Sequence, residues 1–281
     1  MLAIQMAFCL VIPATADKIY RLIGATELTR EVFNAVFYVI MFTVPLCVFY
    51  ILRTLIVKEP LAKNETKLPL KYGVYTFFAA FMLIFMLGNV YFALFPNAGA
   101  ARYYVSDAGI WSNLLRLLIS VLVPVVIEEI MFRRLILNEL SLFGGYPAIL
   151  FSSMLFALMY YDIEKFPYAF VVGVAVGWVY TKKRSVVHTI LIRAASEVML
   201  FILHAARTEL PEKNYLITVA VIFTVAMTAG LFSFIKLASD KGFDMFSVNR
   251  RTLVPVAEFF TWPMTVYLAA ATAIAWTRAF L

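Results

Sequence analysis

The chain has 281 residues, 63% of them hydrophobic and 15% charged. Soluble domains run at about 45–50% apolar and about 25% charged, so this balance excludes a water-soluble globule, and the scarcity of charge excludes disorder. The net charge of +7 includes no basic run longer than Lys182-Lys183-Arg184; this pattern argues against a nucleic-acid partner and fits basic loops facing the cytoplasm.

A helix crosses a bilayer core with about 20 apolar residues. The sequence opens on an apolar piece, 1–14, followed by the small residues Ala14-Thr15-Ala16. No Lys or Arg precedes it, so a retained helix is expected rather than a cleaved signal peptide. Spans are then predicted at 33–56, 75–94, 114–137, 146–160, 167–180, 186–204, 215–235 and 254–276. The spans at 146–160 and 167–180 are short for a full crossing. Alternating loops divide the basic residues unevenly. One side carries Lys58, Lys63, Lys67, Lys71, Arg133, Arg134, Lys182, Lys183, Arg184, Lys236, Lys241, Arg250 and Arg251; the other carries Lys18, Arg21, Arg30, Arg102, Lys165, Arg207 and Lys213. The richer side is assigned to the cytoplasm. The expectation is an all-α polytopic transmembrane bundle of about eight helices, nine with the opening piece, forming one domain over 1–281. A bacterial or archaeal cell membrane is its expected location. Cys9 and Cys47 lie in apolar stretches and form no metal spacing or disulfide framework.

Ionisable groups within such spans cost energy and are buried in the bundle or functional. Three places stand out. Glu128, Glu129, Arg133 and Arg134 share one helix. Adjacent glutamates lie about 100° apart, so at most one is expected to point straight into a given cleft. Glu129 and Arg133 are four apart and can pair. Pro124, one turn before Glu128, should bend the helix. The second place is Arg193 with Glu197, again four apart; the third is Tyr160, at the end of a short span. Structural alternatives exist for each: a packing ion pair at Glu129–Arg133, a self-neutralising pair at Arg193–Glu197, and an interfacial aromatic at Tyr160. His188, beside the basic cluster, reads as an interfacial side chain. His204 lies three turns from Arg193, ~16 Å along the axis, too far to share an ion with it. Ala169, Gly173 and Gly177 form a small-residue stripe for close helix packing.

Glu128-Glu129-Ile130-Met131-Phe132-Arg133 resembles the Glu-Glu-x-x-x-Arg signature of the CAAX-protease and bacteriocin-processing (CPBP) intramembrane proteases. The turn Phe143-Gly144-Gly145, the segment from Phe151 to Met159, Gly173 and Gly177 before Tyr180, and the run from Ser185 to Glu197 follow in the family's order. The resemblance covers about a third of the chain, with a CPBP-like core at 112–206. It implies that Glu128 and Glu129 activate water for peptide-bond hydrolysis and that Arg133 orients them. It also implies a histidine four residues after Phe156 and a later His-x-x-x-Asn or Asp pair. Tyr160, Arg193 and Glu197 stand at those positions instead.

A catalytic zinc wants about three protein ligands, usually including histidine. Glu128, Glu129, Glu197 and Tyr160 supply only oxygen, a set that suits a hard cation if any, and Arg193 adds a positive charge where a dication would sit, so zinc is not expected and no cofactor is assigned. The favoured reading is a degenerate protease fold kept as a binding or regulatory protein. Its expected partners are membrane lipid and a membrane-anchored peptide or partner transmembrane helix. The alternative is an active glutamate-dependent endopeptidase cutting peptides near the cytoplasmic face. A third reading is a transporter whose buried charges line a pathway.

Overall fold

The structure, a computed structural model, describes residues 27–56, 68–95, 110–245 and 255–280, together with Lys18 and Leu22. The opening piece 1–14 lies outside the described residues, as do Arg21, Lys58, Lys63, Lys67, Arg102, Arg250 and Arg251. The regular elements are helices, with no strand among the described residues. We label them α1 (Glu27–Ile56), α2 (Leu70–Leu94), α3 (110–140), α4 (Gly145–Leu158), α5 (Phe166–Lys183), α6 (Val186–Glu209), α7 (Glu212–Ser239) and α8 (Trp262–Phe280). The all-α membrane bundle is thus the fold.

Helices α2, α6 and α7 are long and apolar enough to cross a bilayer by length and composition. The most apolar stretch of α7 is only 17% buried against protein, whereas that of α6 is 50% buried. A helix facing lipid must be apolar nearly all round, while one enclosed by neighbours can carry charge on its protein face. This is why α6 tolerates Arg193 and Glu197. It is also why α3, which holds Glu128, Glu129, Arg133 and Arg134, does not read as a simple span. The predicted span 254–276 is divided: a short 3-10 turn at Val256–Phe259 precedes α8. Pro255 and Pro263 lack the N–H that an uninterrupted helix would use, a constraint that hydropathy does not register.

Helix α3 changes pitch four times. Its α-helical segments Ile110–Arg116, Val123–Glu129 and Asn138–Leu140 alternate with wider π-helical turns at Leu117–Leu122 and Ile130–Leu137. The first wide segment has a local cause. Pro124 has no N–H to offer, and the preceding Val123 N–H bonds back five residues to Leu118 O, so the helix widens just before the proline. The predicted bend at Pro124 takes the form of this widening. The second π segment carries Arg133.

The inner helices are α3, α4, α5 and α6; α2 packs on α5 and α6, and α7 lies along α2. Helix α1 lies against α3 and α8 against α4. The α4–α5 pair is especially close: a Cβ on Gly173 would stand 2.9 Å from Ser153 Cβ and 3.0 Å from its Cα. That spacing needs a residue without a side chain. Beyond α7, Asp240–Met245 folds back as a strap. Lys71 pairs with Asp240 at 3.0 Å, Lys182 Nζ donates to Asp244 O at 2.6 Å, and Trp178 Nε1 donates to Met245 O at 3.0 Å. Phe243 is buried against Tyr72 and Trp178.

Candidate functional site

The α-helical turn between the two π segments of α3 presents Glu128 and Glu129 inward, both essentially fully buried. Arg133, one turn on and equally buried, donates through Nε to Glu129 Oε2 at 3.3 Å. From α6, Arg193 enters the same place. Its Nη1 donates to Glu128 Oε2 at 2.8 Å and to Glu129 Oε1 at 3.3 Å, and its Nη2 donates to Glu197 Oε1 at 3.3 Å. From the turn after α4, the Tyr160 hydroxyl donates to Glu128 Oε2 at 3.1 Å. The six residues singled out in the sequence therefore meet at one centre. One expectation is corrected: both adjacent glutamates reach a single cleft. Each arrives at the same Arg193 nitrogen, because two flexible glutamate side chains can converge although their Cβ atoms diverge by about 100°.

Tyr160 is placed by local backbone chemistry. Helix α4 ends with Tyr161 at φ 49°, in the left-handed region, a conformation that costs an ordinary residue about 1–2 kcal/mol. The N–H of Tyr160 bonds to Ala157 O and that of Tyr161 to Leu158 O, closing the helix end. Asp162 Oδ1 then accepts from Glu164 N–H and Lys165 N–H and starts the next helix. This turn swings Tyr160 back toward α3, while Lys165 lies 3.7 Å from the centre of its ring.

Phe156 is a component that the sequence offered only as a motif landmark. Its ring lies 4.9 Å from the Arg193 guanidinium carbon and 5.5 Å from that of Arg133. Both distances are within cation–π range, worth about 2 kcal/mol when desolvated. One apolar ring thus contacts both cations of the centre. His188 is buried against protein, with Nε2 3.1 Å from Thr76 Oγ1. Thr76 Oγ1 also lies 2.8 and 3.0 Å from the carbonyl oxygens of Tyr72 and Gly73.

The donor set does not fit a zinc ion. The centre contains no histidine, and an oxygen of each of its three carboxylates is turned onto the Arg193 guanidinium. A dication would have to displace that charge. Among the described residues, no group of three His, Cys, Asp or Glu is arranged to hold a metal. Chemically the arrangement is a closed, buried ion network with one neutral phenol at its edge.

Residues 110–199 match the model of the family described as Type II CAAX prenyl endopeptidase Rce1-like. The matched stretch comprises α3, α4, α5 and the first part of α6, which carry all six residues of the centre. No curated protein and no solved structure matches the chain.

Proposed function

We propose, from the premise that the chain's core is Rce1-like, that this membrane protein uses a CAAX-protease fold to bind or regulate rather than to hydrolyse. The observation that carries this reading is the position of Arg193. It stands where the family resemblance implies a histidine, and it is bonded to Glu128, Glu129 and Glu197 at 2.8–3.3 Å. A general base must have a lone pair free for the proton of water, and the site must hold that water beside it. Here Glu128 Oε2 accepts from both Arg193 and Tyr160, and both oxygens of Glu129 accept from arginines. The partner implied is a membrane-anchored peptide or a transmembrane helix, within a lipid bilayer and without nucleic acid or cofactor. The basic loops are assigned to the cytoplasmic side of a cell membrane.

A second reading has its own support. The Glu-Glu-x-x-x-Arg set is intact and fully buried, and Glu128 Oε1 has no hydrogen bond among those described above. In an endopeptidase, a glutamate would take a proton from water as the water oxygen attacks the peptide carbonyl carbon. Arg193 would steady the developing oxyanion, and the proton would pass to the leaving amine. The two readings separate in one assay. The purified protein in lipid vesicles is given a prenylated, membrane-anchored CAAX peptide beside Glu129→Gln. The binding reading expects the same absence of cleavage from both. Cleavage by the parent protein that Glu129→Gln abolishes would overturn it and establish the hydrolytic one.

A further inference from the structure

We propose that Arg133 holds a buried water molecule at the crossing of α4 and α5, on the side of its guanidinium away from Glu129. Arg133 is completely buried, and only its Nε is engaged, with Glu129. Neither Nη1 nor Nη2 has a hydrogen-bond partner among the described residues. A guanidinium carries five N–H donors, and buried charged donors left unpaired are among the most costly features a fold can keep. Four of the five donors are on these two nitrogens.

The surroundings define what fills the role. Gly177 of α5 lies beside Nη1: a Cβ there would stand 3.6 Å from Nη1 and 3.3 Å from Ile149 Cγ2. Gly177 thus offers that donor no side-chain acceptor, and its neighbour across the α4–α5 contact, Ile149, is apolar. Phe156 adds an aromatic wall, its ring centre 5.5 Å from the guanidinium carbon. Charge then selects the ligand. Glu128, Glu129 and Glu197 carry −3 when ionised and Arg133 and Arg193 carry +2, so the cluster is at −1 before anything binds. An anion would add to that excess. A cation would meet four N–H donors and no acceptor. A small neutral acceptor satisfies both conditions, and water, with two lone pairs for Nη1 and Nη2 and two protons for nearby backbone carbonyls, is the smallest. The site lies outside the carboxylate–Arg193 contacts and holds under either reading of the protein's activity.

Two measurements test it. A structure of the full-length protein in a lipid nanodisc, at a resolution that shows ordered solvent, should contain a solvent peak about 2.7–3.2 Å from Nη1 or Nη2. Nitrogens bonded instead to protein acceptors, or packed dry, would overturn the proposal. The second measurement compares Gly177→Ser with Gly177→Ala by thermal unfolding. Both add the same Cβ against Ile149, and helix propensity favours Ala, but only Ser brings an oxygen to Nη1. A water already bound at Nη1 leaves that oxygen little to add, so Gly177→Ser should melt no higher than Gly177→Ala. A Ser variant that melts several degrees above the Ala variant would reveal an unsatisfied Nη1 and refute the water site, and the parent structure decides should neither variant fold.

Discussion

Replacing Arg193 with leucine tests the centre most directly. Its guanidinium makes three ion contacts at 2.8, 3.3 and 3.3 Å, with every partner at most 6% exposed. At an effective dielectric of about 20, each is worth roughly 5–6 kcal/mol of gross attraction. Repulsion from Arg133 and the cost of removing five charged groups from water offset most of that sum. What a variant reveals is the penalty for the carboxylates left behind, about 3–5 kcal/mol for breaking a buried network by removing one partner. In a chain of this length that corresponds to a fall of roughly 10 °C in Tm, read by differential scanning fluorimetry in detergent or nanodiscs. The double-mutant cycle makes the test specific. Glu128→Gln removes one of the stranded charges, so Arg193→Leu/Glu128→Gln should melt above Arg193→Leu alone, with a coupling of about 1–3 kcal/mol. A loss under ~2 °C for Arg193→Leu, or strict additivity in the cycle, would show that Arg193 does not neutralise these carboxylates.

Four further outcomes are expected. Tyr160→Phe deletes one hydrogen bond to a charged acceptor and should cost about 1.5–3 kcal/mol; an unchanged Tm would remove Tyr160 from the centre. Gly173→Ala places a Cβ 2.9 Å from Ser153 Cβ and should destabilise by about 1–3 kcal/mol through overpacking, although alanine is the better helix former; a higher Tm would show that α4 and α5 are not so close. The Gly242 N–H and then the Lys71 ammonium hold the Asp240 carboxyl below its usual range. A depressed folded-state pKa means that the strap's contribution is present above the ordinary carboxylate range and is lost as pH falls through the lowered value. Trp178 fluorescence, in a variant lacking the other three tryptophans, should therefore stay constant at neutral pH and change only in acid; a transition near pH 7 would contradict this. Lastly, Arg193→His alone removes the guanidinium that lies 3.3 Å from Glu197, so it should melt below Arg193→His/Glu197→Asn, and the reverse order would argue that the two positions are independent.

What the sequence made legible follows the range of each interaction. Composition alone led to a helical membrane bundle, because a bilayer admits few structures and punishes polar backbone. The pairs Glu129–Arg133 and Arg193–Glu197 were readable because residues four apart share a helix face. The contacts that build the centre were not readable from spacing. Arg193 is 65 residues from Glu128, and Tyr160 is 32 from it; only the register of a family resemblance set them side by side. The partner of His188 was unreadable for the same reason, since Thr76 lies 112 residues earlier and the packing of α2 on α6 leaves no local trace. The second π segment of α3 likewise has no proline to announce it. The polar stretch after α7 read as a loop, and the burial of Phe243 and Met245 that makes it a strap depends on Tyr72 and Trp178 far back in the chain.

The three departures from the family pattern form a consistent set. Arginine in place of one histidine would, by itself, add a buried charge. Glutamate, at the position where the resemblance implies Asn or Asp, lies one turn away and supplies a carboxylate at 3.3 Å. Tyrosine in place of the other histidine keeps a hydrogen bond to Glu128 and adds no charge. The Arg193 guanidinium is met by three carboxylates, those of Glu128, Glu129 and Glu197, at 2.8–3.3 Å, as a charge in a low-dielectric interior requires. Tyr160 and Arg193 bond to Glu128, and Glu197 bonds to Arg193, so the three residues belong to one connected network. That network ties α3, the turn after α4, and α6 to one another through buried side chains, so loss of any one contact is expected to loosen all three elements together.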